Sequence, residues 1–204
     1  MLQLPQNRLL IGSNYATLST IDKHDDITIS GAGLTHTKRV NSSWSSGRST
    51  NFHIGGKYYC EWTVLVKGLG DTLIGFTTSN TPYNGFLGQN LDSIGFVTDG
   101  NFYSANASIG GIGSAVVAGD VIGIAIDLDN SKIWARKTDG NWNNSGTNNP
   151  TTNVGGKSLS GSMTGGAVAI YAGAGGSFPP NGGRVNFGAN GFMYPAPGGF
   201  SPWH

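Results

Sequence analysis

Residues 56–66 read Gly56-Lys57-Tyr58-Tyr59-Cys60-Glu61-Trp62-Thr63-Val64-Leu65-Val66, and this stretch decides the fold class. After a Gly-Lys turn it runs through aromatic and β-branched residues without proline or helical spacing, so it reads as a central strand. Alternation puts Tyr58, Cys60, Trp62, Val64 and Val66 on one face and Tyr59, Glu61, Thr63 and Leu65 on the other. The first face needs a second sheet above it, because one sheet alone cannot keep Trp and Val out of water. The expected architecture is all-β, with two antiparallel sheets packed face to face.

The flanking sequence agrees. Residues 121–128 and 132–137 pair as a hairpin about Asp129-Asn130-Ser131, with Ile122, Ile124, Ile126 and Leu128 on a core face. Gly123 and Ala125 alternate with them and permit close cover on the other side. Residues 93–97 and 101–105 form a second hairpin around Asp99-Gly100. Further strands are expected at 27–30, 34–40, 73–77, 167–172 and 184–188. Residues 42–49 read as a polar loop around Trp44, 79–92 as a long connection, 110–114 as a flexible glycine-rich link and 138–157 as the longest loop. A Pro-rich tail follows, and no helix of ordinary length is expected.

Composition narrows the function. A chain of 204 residues suits one sandwich domain. Net charge is +1 and only 11% of residues are charged, which gives no basis for a nucleic-acid partner. The 34 glycines have no three-residue period and separate apolar strand-like segments, so they read as turn residues rather than collagen or disorder. Cys60 is the single cysteine, which excludes an intramolecular disulfide; on the core face it reads as a buried thiol. No apolar run reaches the ~20 residues of a membrane-spanning helix. Residues 1–5 lack a signal-peptide pattern, so synthesis in the producing cell's cytoplasm is expected.

Four segments carry a family resemblance. Gly56 to Val64 resembles the "GKYYWEV" strand of SPRY domains, and residues 118–127 resemble their "GDVIGVALD" strand. Lys132-Ile133-Trp134 with Asp139-Gly140-Asn141-Trp142 is similar to "kiwf…nGtW". Val185-Asn186-Phe187-Gly188, followed by Phe192, Tyr194-Pro195 and Gly199-Phe200, is similar to the family's closing stretch. Order and spacing agree from about Asp22 to Phe200, with Cys60 where the family often has Trp. The resemblance implies a bent, concanavalin A-like jelly-roll sandwich of two antiparallel sheets. It also implies a binding module, not an enzyme, that works through loops at one rim. The expected division is an N-terminal extension over 1–21, serving as an assembly anchor, and a SPRY-like domain over 22–204.

No residue set demands catalysis. His24, His36, His53 and His204 are scattered without a Gly-x-Ser-x-Gly elbow. Asp25 and Asp26 would point apart on a strand, and Glu61 stands alone, so a glycosidase pair is not indicated. Asp127-x-Asp129-Asn130 lacks the further ligands of a calcium loop and reads as a hairpin corner. No catalytic residue, cofactor or metal is expected. Aromatics on polar segments (Trp44, Tyr83, Phe86, Trp142 and Trp203) suit sugar stacking or a protein interface, although the family places tryptophans matching Trp44 and Trp142 in the domain body. The rim residues expected to bind a ligand are Tyr83, Asn84, Phe86, Asn143 and Asn144. Leu2, Leu4, Leu9, Leu10 and Ile11 are expected to contact a neighbouring subunit.

The Gly-, Asn- and Ser-heavy version of the domain resembles those of bacteriophage virion proteins. The expected function is a multi-copy virion component of capsid or tail, contacting other virion proteins and adhering to a host-surface glycan or protein, without membrane insertion. An architectural cement or fibre subunit and an intracellular peptide-binding adaptor are the alternatives.

Overall fold

A computed structural model describes residues 15–38, 44–68, 70–172 and 181–204. The first strands are β1 (Leu18–Lys23), β2 (Ile27–Ser30), β3 (Thr35–Lys38), β4 (Ser45–Ser49) and β5 (Lys57–Val66). Next come β6 (Thr72–Thr77), β7 (Ser93–Val97), β8 (Asn101–Ser104), β9 (Ala107–Gly111) and β10 (Val121–Asp127). The last are β11 (Lys132–Lys137), β12 (Lys157–Ser158), β13 (Ala167–Ala172), β14 (Gly182–Asn186) and β15 (Ser201–Pro202). They form two sheets, ordered β1-β4-β13-β6-β7-β8-β9 and β12-β11-β10-β5-β14-β3-β2. All pairings are antiparallel except that of β15, which lies parallel to β5.

The strand that opened the sequence reading is central in its sheet. β5 pairs with β10 along Lys57 to Thr63 and with β14 from Glu61 to Val66. Cys60, Trp62, Val64, Ile122, Ile124 and Ile126 point inward and meet Ile74, Phe76, Ile94, Phe96, Val168 and Ile170 of the other sheet. Burial of these side chains away from water drives the pairing of the sheets.

Segments also pack on both outer faces. On the eight-stranded sheet, Tyr59, Ala125 and Trp134 pack under Trp142 and Phe200. Gly123 has room for nothing larger, since a Cβ there would lie 2.5 Å from the Tyr59 hydroxyl. On the seven-stranded sheet, Leu73, Val97 and Ala169 pack under Leu87.

Several elements differ from the sequence reading. Residues 45–49, expected in a polar loop, form β4, a fully buried strand between β1 and β13. Its side chains are small apart from Arg48, which pairs with Asp22 at 2.7 Å and stacks over Tyr83 with its guanidinium carbon 4.7 Å from the ring centroid. β9 begins before the expected glycine-rich link and pairs with β8. The tail returns as β15, which takes the place beside Tyr58 and Tyr59 that β14 has left. β1 includes Leu18 to Ile21, residues assigned above to the extension. Leu2, Leu4, Leu9, Leu10 and Ile11 lie outside the described residues.

Candidate functional site

The connection 78–92 does not project from a rim. It folds across the outside of the seven-stranded sheet, where Leu87 lies on Gly95 so closely that a Cβ on Gly95 would sit 2.5 Å from that of Leu87. Gly88, at φ +86°, approaches the Tyr103 carbonyl and could not carry a side chain there. Polar anchors hold the loop: Gly88 N donates to Ser93 Oγ at 2.9 Å, Asn106 N to Gly88 O at 2.7 Å and Thr78 N to Asp92 O at 2.9 Å. Such a loop is preorganised on its sheet, as binding loops on rigid scaffolds are.

The loop stops short of covering its sheet. Beside it lies a cleft of about 210 Å³ lined by Trp44, Asp71, Leu73, Phe86, Val97 and Tyr103. Leu73 and Val97 are buried, while the three rings are partly exposed. Phe86 stands between the other two, 5.5 Å from Trp44 at a 45° tilt and 6.5 Å from Tyr103 edge-on. Two carboxylates border the rings. Tyr103 Oη donates to Asp99 Oδ2 at 2.8 Å, and Thr98 Oγ1 donates to Asp71 Oδ1 at 2.8 Å. The hydrogen bond to Asp99, burial and the negative charges of Asp99 and Asp71 all raise the Tyr103 phenol above its usual range.

The five expected ligand residues separate. Phe86 is a wall of this cleft and also of a second hollow of about 430 Å³, formed with Asn84, Gln89 and Asn90 within the loop. Asn84 is exposed. Tyr83 ties the loop to the sheet: its hydroxyl donates to Asp22 and its ring lies under Arg48. Asn143, expected to face a ligand, is instead buried, accepting from Ala135 N at 2.9 Å and donating to Gly155 O at 2.9 Å. It caps the part of β11 that β12 does not reach. Asn144 is exposed, at φ 60°, beside Gly113. Neither Asn143 nor Asn144 lines the two hollows around Phe86.

Other singled-out residues belong to the fold. Trp142 packs on the outer face of the eight-stranded sheet, with the Arg136 guanidinium carbon 4.5 Å from its ring centroid. Trp203, expected on a polar loop, is fully buried in the main core beside Tyr58, Phe76 and His53. Cys60 is buried, and burial pushes its thiol up. Asp127 is a buried hairpin corner that accepts from Asn130 N and Nδ2 at 2.9 Å and pairs with Lys57 at 3.0 Å. Burial alone would raise its carboxyl, but the Asn130 hydrogen bonds and Lys57 outweigh it and hold it below the usual range. Among the described residues, no group of three or more His, Cys, Asp and Glu side chains is placed to hold a metal ion.

Asp71 and Tyr103 were not among the site residues expected from the sequence, whereas Trp44, expected as a loop aromatic, lies just before β4 and lines the cleft. Tyr103 and Asp71 lie 32 positions apart in sequence and meet only through the β6–β7–β8 pairings. No local signal marks them.

Residues 57–148 match the SPRY domain family model. The fold is that of a SPRY domain. The SPRY domain of human HERC1 superposes with a TM-score of 0.64 at 12% identity, over 83% of this chain and 96% of that one. A second human SPRY domain gives 0.55 at 20% identity, over 79% and 94%. The SPRY-family match covers β5 to the segment around Trp142, and the structural likeness extends the sandwich on both sides of it.

Proposed function

We propose that this chain is a non-enzymatic binding module that holds a protein partner in the cleft between Trp44, Phe86 and Tyr103. The observation that carries the reading is the incomplete cover of the seven-stranded sheet, which leaves three rings over a rigid apolar floor with carboxylates at the edge. Small concave sites with an apolar lining and a few fixed polar groups are where proteins take ligands, and aromatic anchors dominate protein interfaces. The SPRY match supports it, since such domains are typically protein-binding modules.

For the setting we propose a bacteriophage particle, on capsid or tail, with a host-surface protein as the outside partner. The 34 glycines and the 11% charged content support this, as a composition suited to a displayed, turn-rich sandwich. Many copies would convert weak single contacts into adhesion through effective concentration.

A displayed peptide library tests the cleft. Peptides captured by the wild-type chain and by Asn144→Ala, but lost with Phe86→Ala, support it. Peptides held equally by all three chains would refute it. Mass spectrometry of purified particles tests the setting, and a glycan array on the same protein distinguishes a sugar partner from a peptide.

A further inference from the structure

Building on the protein-docking reading above, we infer that the cleft receives a cationic side chain, an arginine or a lysine, of the partner protein. The cleft's size already limits its occupant. About 210 Å³ is smaller than the usual small-molecule site and suits one long side chain entering between Trp44 and Tyr103.

Its chemistry selects the charge. The faces of aromatic rings carry negative potential and attract a guanidinium or ammonium group. Asp71 lines the same cleft and Asp99 holds the Tyr103 hydroxyl, so ring faces and carboxylates favour the same sign. Asp71 Oδ1 accepts from Thr98, while its Oδ2 has no hydrogen-bond partner among the described residues. The chain's own nearby cation, Lys67, comes only within 3.9 Å of Oδ1, and its side chain stays outside the cleft's lining.

The chain uses the same pairing where it supplies the cation itself. Arg48 lies over Tyr83 at 4.7 Å, Arg136 over Trp142 at 4.5 Å, and Lys57 over Phe200 at 5.9 Å. Trp44, Phe86 and Tyr103 carry no such cation among the described residues. In the two arginine cases an aspartate completes the site: Asp22 beside Arg48 and Asp139 beside Arg136, each at 2.7 Å. Asp71 is placed to do this for an incoming cation.

Other occupants fit less well. A sugar needs amide or hydroxyl partners around the ring it stacks on, and the amides of Asn84, Gln89 and Asn90 line the other hollow. An apolar side chain would fill the space but shield Asp71 from water with only the distant Lys67 as counter-charge, which is costly.

The test is a titration of the full-length, ¹⁵N-labelled chain with N-acetyl-argininamide and with its neutral isostere, N-acetyl-citrullinamide, followed through the Trp44 indole N–H and the Phe86 and Tyr103 amides. The arginine probe should shift these signals saturably, and the citrulline probe should bind at least about fivefold more weakly. Asp71→Asn should bring the arginine affinity down to the citrulline level. The amide oxygen can still accept from Thr98, so signals elsewhere should stay in place and report an intact fold. Equal affinity for the two probes would overturn the charge selection while leaving the cleft a docking site. Absence of any saturable shift would overturn the inference outright, and the peptide selection would then judge the docking reading independently.

Discussion

Acid should weaken this fold through His36 by an amount that can be worked out in advance. His36 on β3 is fully buried and lies across Gly183 of β14 from Trp62, whose indole Nε1 donates to His36 Nε2 at 3.4 Å. The indole can donate only to an unprotonated nitrogen, so the ring is neutral with its proton on Nδ1. Burial lowers the pKa from 6.5 to about 3. The unfolded chain therefore takes up a proton at higher pH than the folded one, and stability falls as pH drops through that window. With 6.5 and about 3 as the limits, the loss between pH 7 and pH 4.5 is about 2.5 kcal/mol, at about 1.36 kcal/mol per unit. Carboxylates such as Asp127 also lose their contribution in acid, so the measurement must isolate the histidine. His36→Gln keeps an acceptor for Trp62 but cannot titrate. Urea unfolding of both proteins across this range should show the wild type losing about 2.5 kcal/mol more than the variant. Parallel stability profiles would refute the argument, and with it the placement of His36 in a dry interior.

Three further outcomes are expected. Glu61 accepts from Met193 N at 2.9 Å, Tyr194 N at 2.7 Å and Asn186 Nδ2 at 3.1 Å. Glu61→Gln turns one acceptor into a donor facing donors, so hydrogen exchange at Met193 and Tyr194 should speed up, reflecting a local loss of about 2 kcal/mol; unchanged protection would count against the clamp. Asp127→Asn should cost about 2 kcal/mol at neutral pH by weakening the Lys57 pair. Because the native carboxyl titrates below its usual range, that gap should close as acid protonates the wild type, and a gap constant with pH would contradict the assignment. Trp203→Ala should cost about 3–5 kcal/mol, as expected for an emptied core site. An unchanged denaturation midpoint would mean that the residue is a surface group, as the sequence suggested.

What could be read from the sequence was whatever repeats with period two and ends on apolar groups. β5 and β10 were legible because Trp62, Val64, Ile122 and Ile124 alternate with residues of another kind and all reach one core. β4 was not, because Ser45, Ser46, Gly47, Arg48 and Ser49 show no apolar alternation, yet all are buried. Their burial depends on partners distant in sequence: Ile170 lies 3.6 Å from where a Gly47 Cβ would be, and the Arg48 charge is met by Asp22. The way the C-terminal tail, a strap over residues 189–204, is fastened was not legible for the same reason, although the family resemblance marked several of its residues. Its attachment to Glu61 through Met193 N and Tyr194 N, and that of Pro195 O to Arg136 Nη2 at 2.5 Å, are polar contacts across more than fifty residues. Polar anchors of this kind leave no periodic trace.

The two outer faces explain why the candidate site lies where it does. Each sheet is covered by a segment without regular periodicity, and the completeness of the two covers differs. Over the eight-stranded sheet the strap and the segment at Trp142 meet, so that Tyr59 and Trp134 are fully buried and the local cation, Arg136, is already stacked and paired. Over the seven-stranded sheet a single loop reaches Leu87 and ends its cover at Phe86, leaving Trp44 and Tyr103 partly open beside Asp71 and Asp99. The inferred arginine or lysine of a partner would close that gap. Among the described residues Lys67 comes only within 3.9 Å of Asp71 and no cation stacks on the three rings, which is the physical ground for looking to a partner.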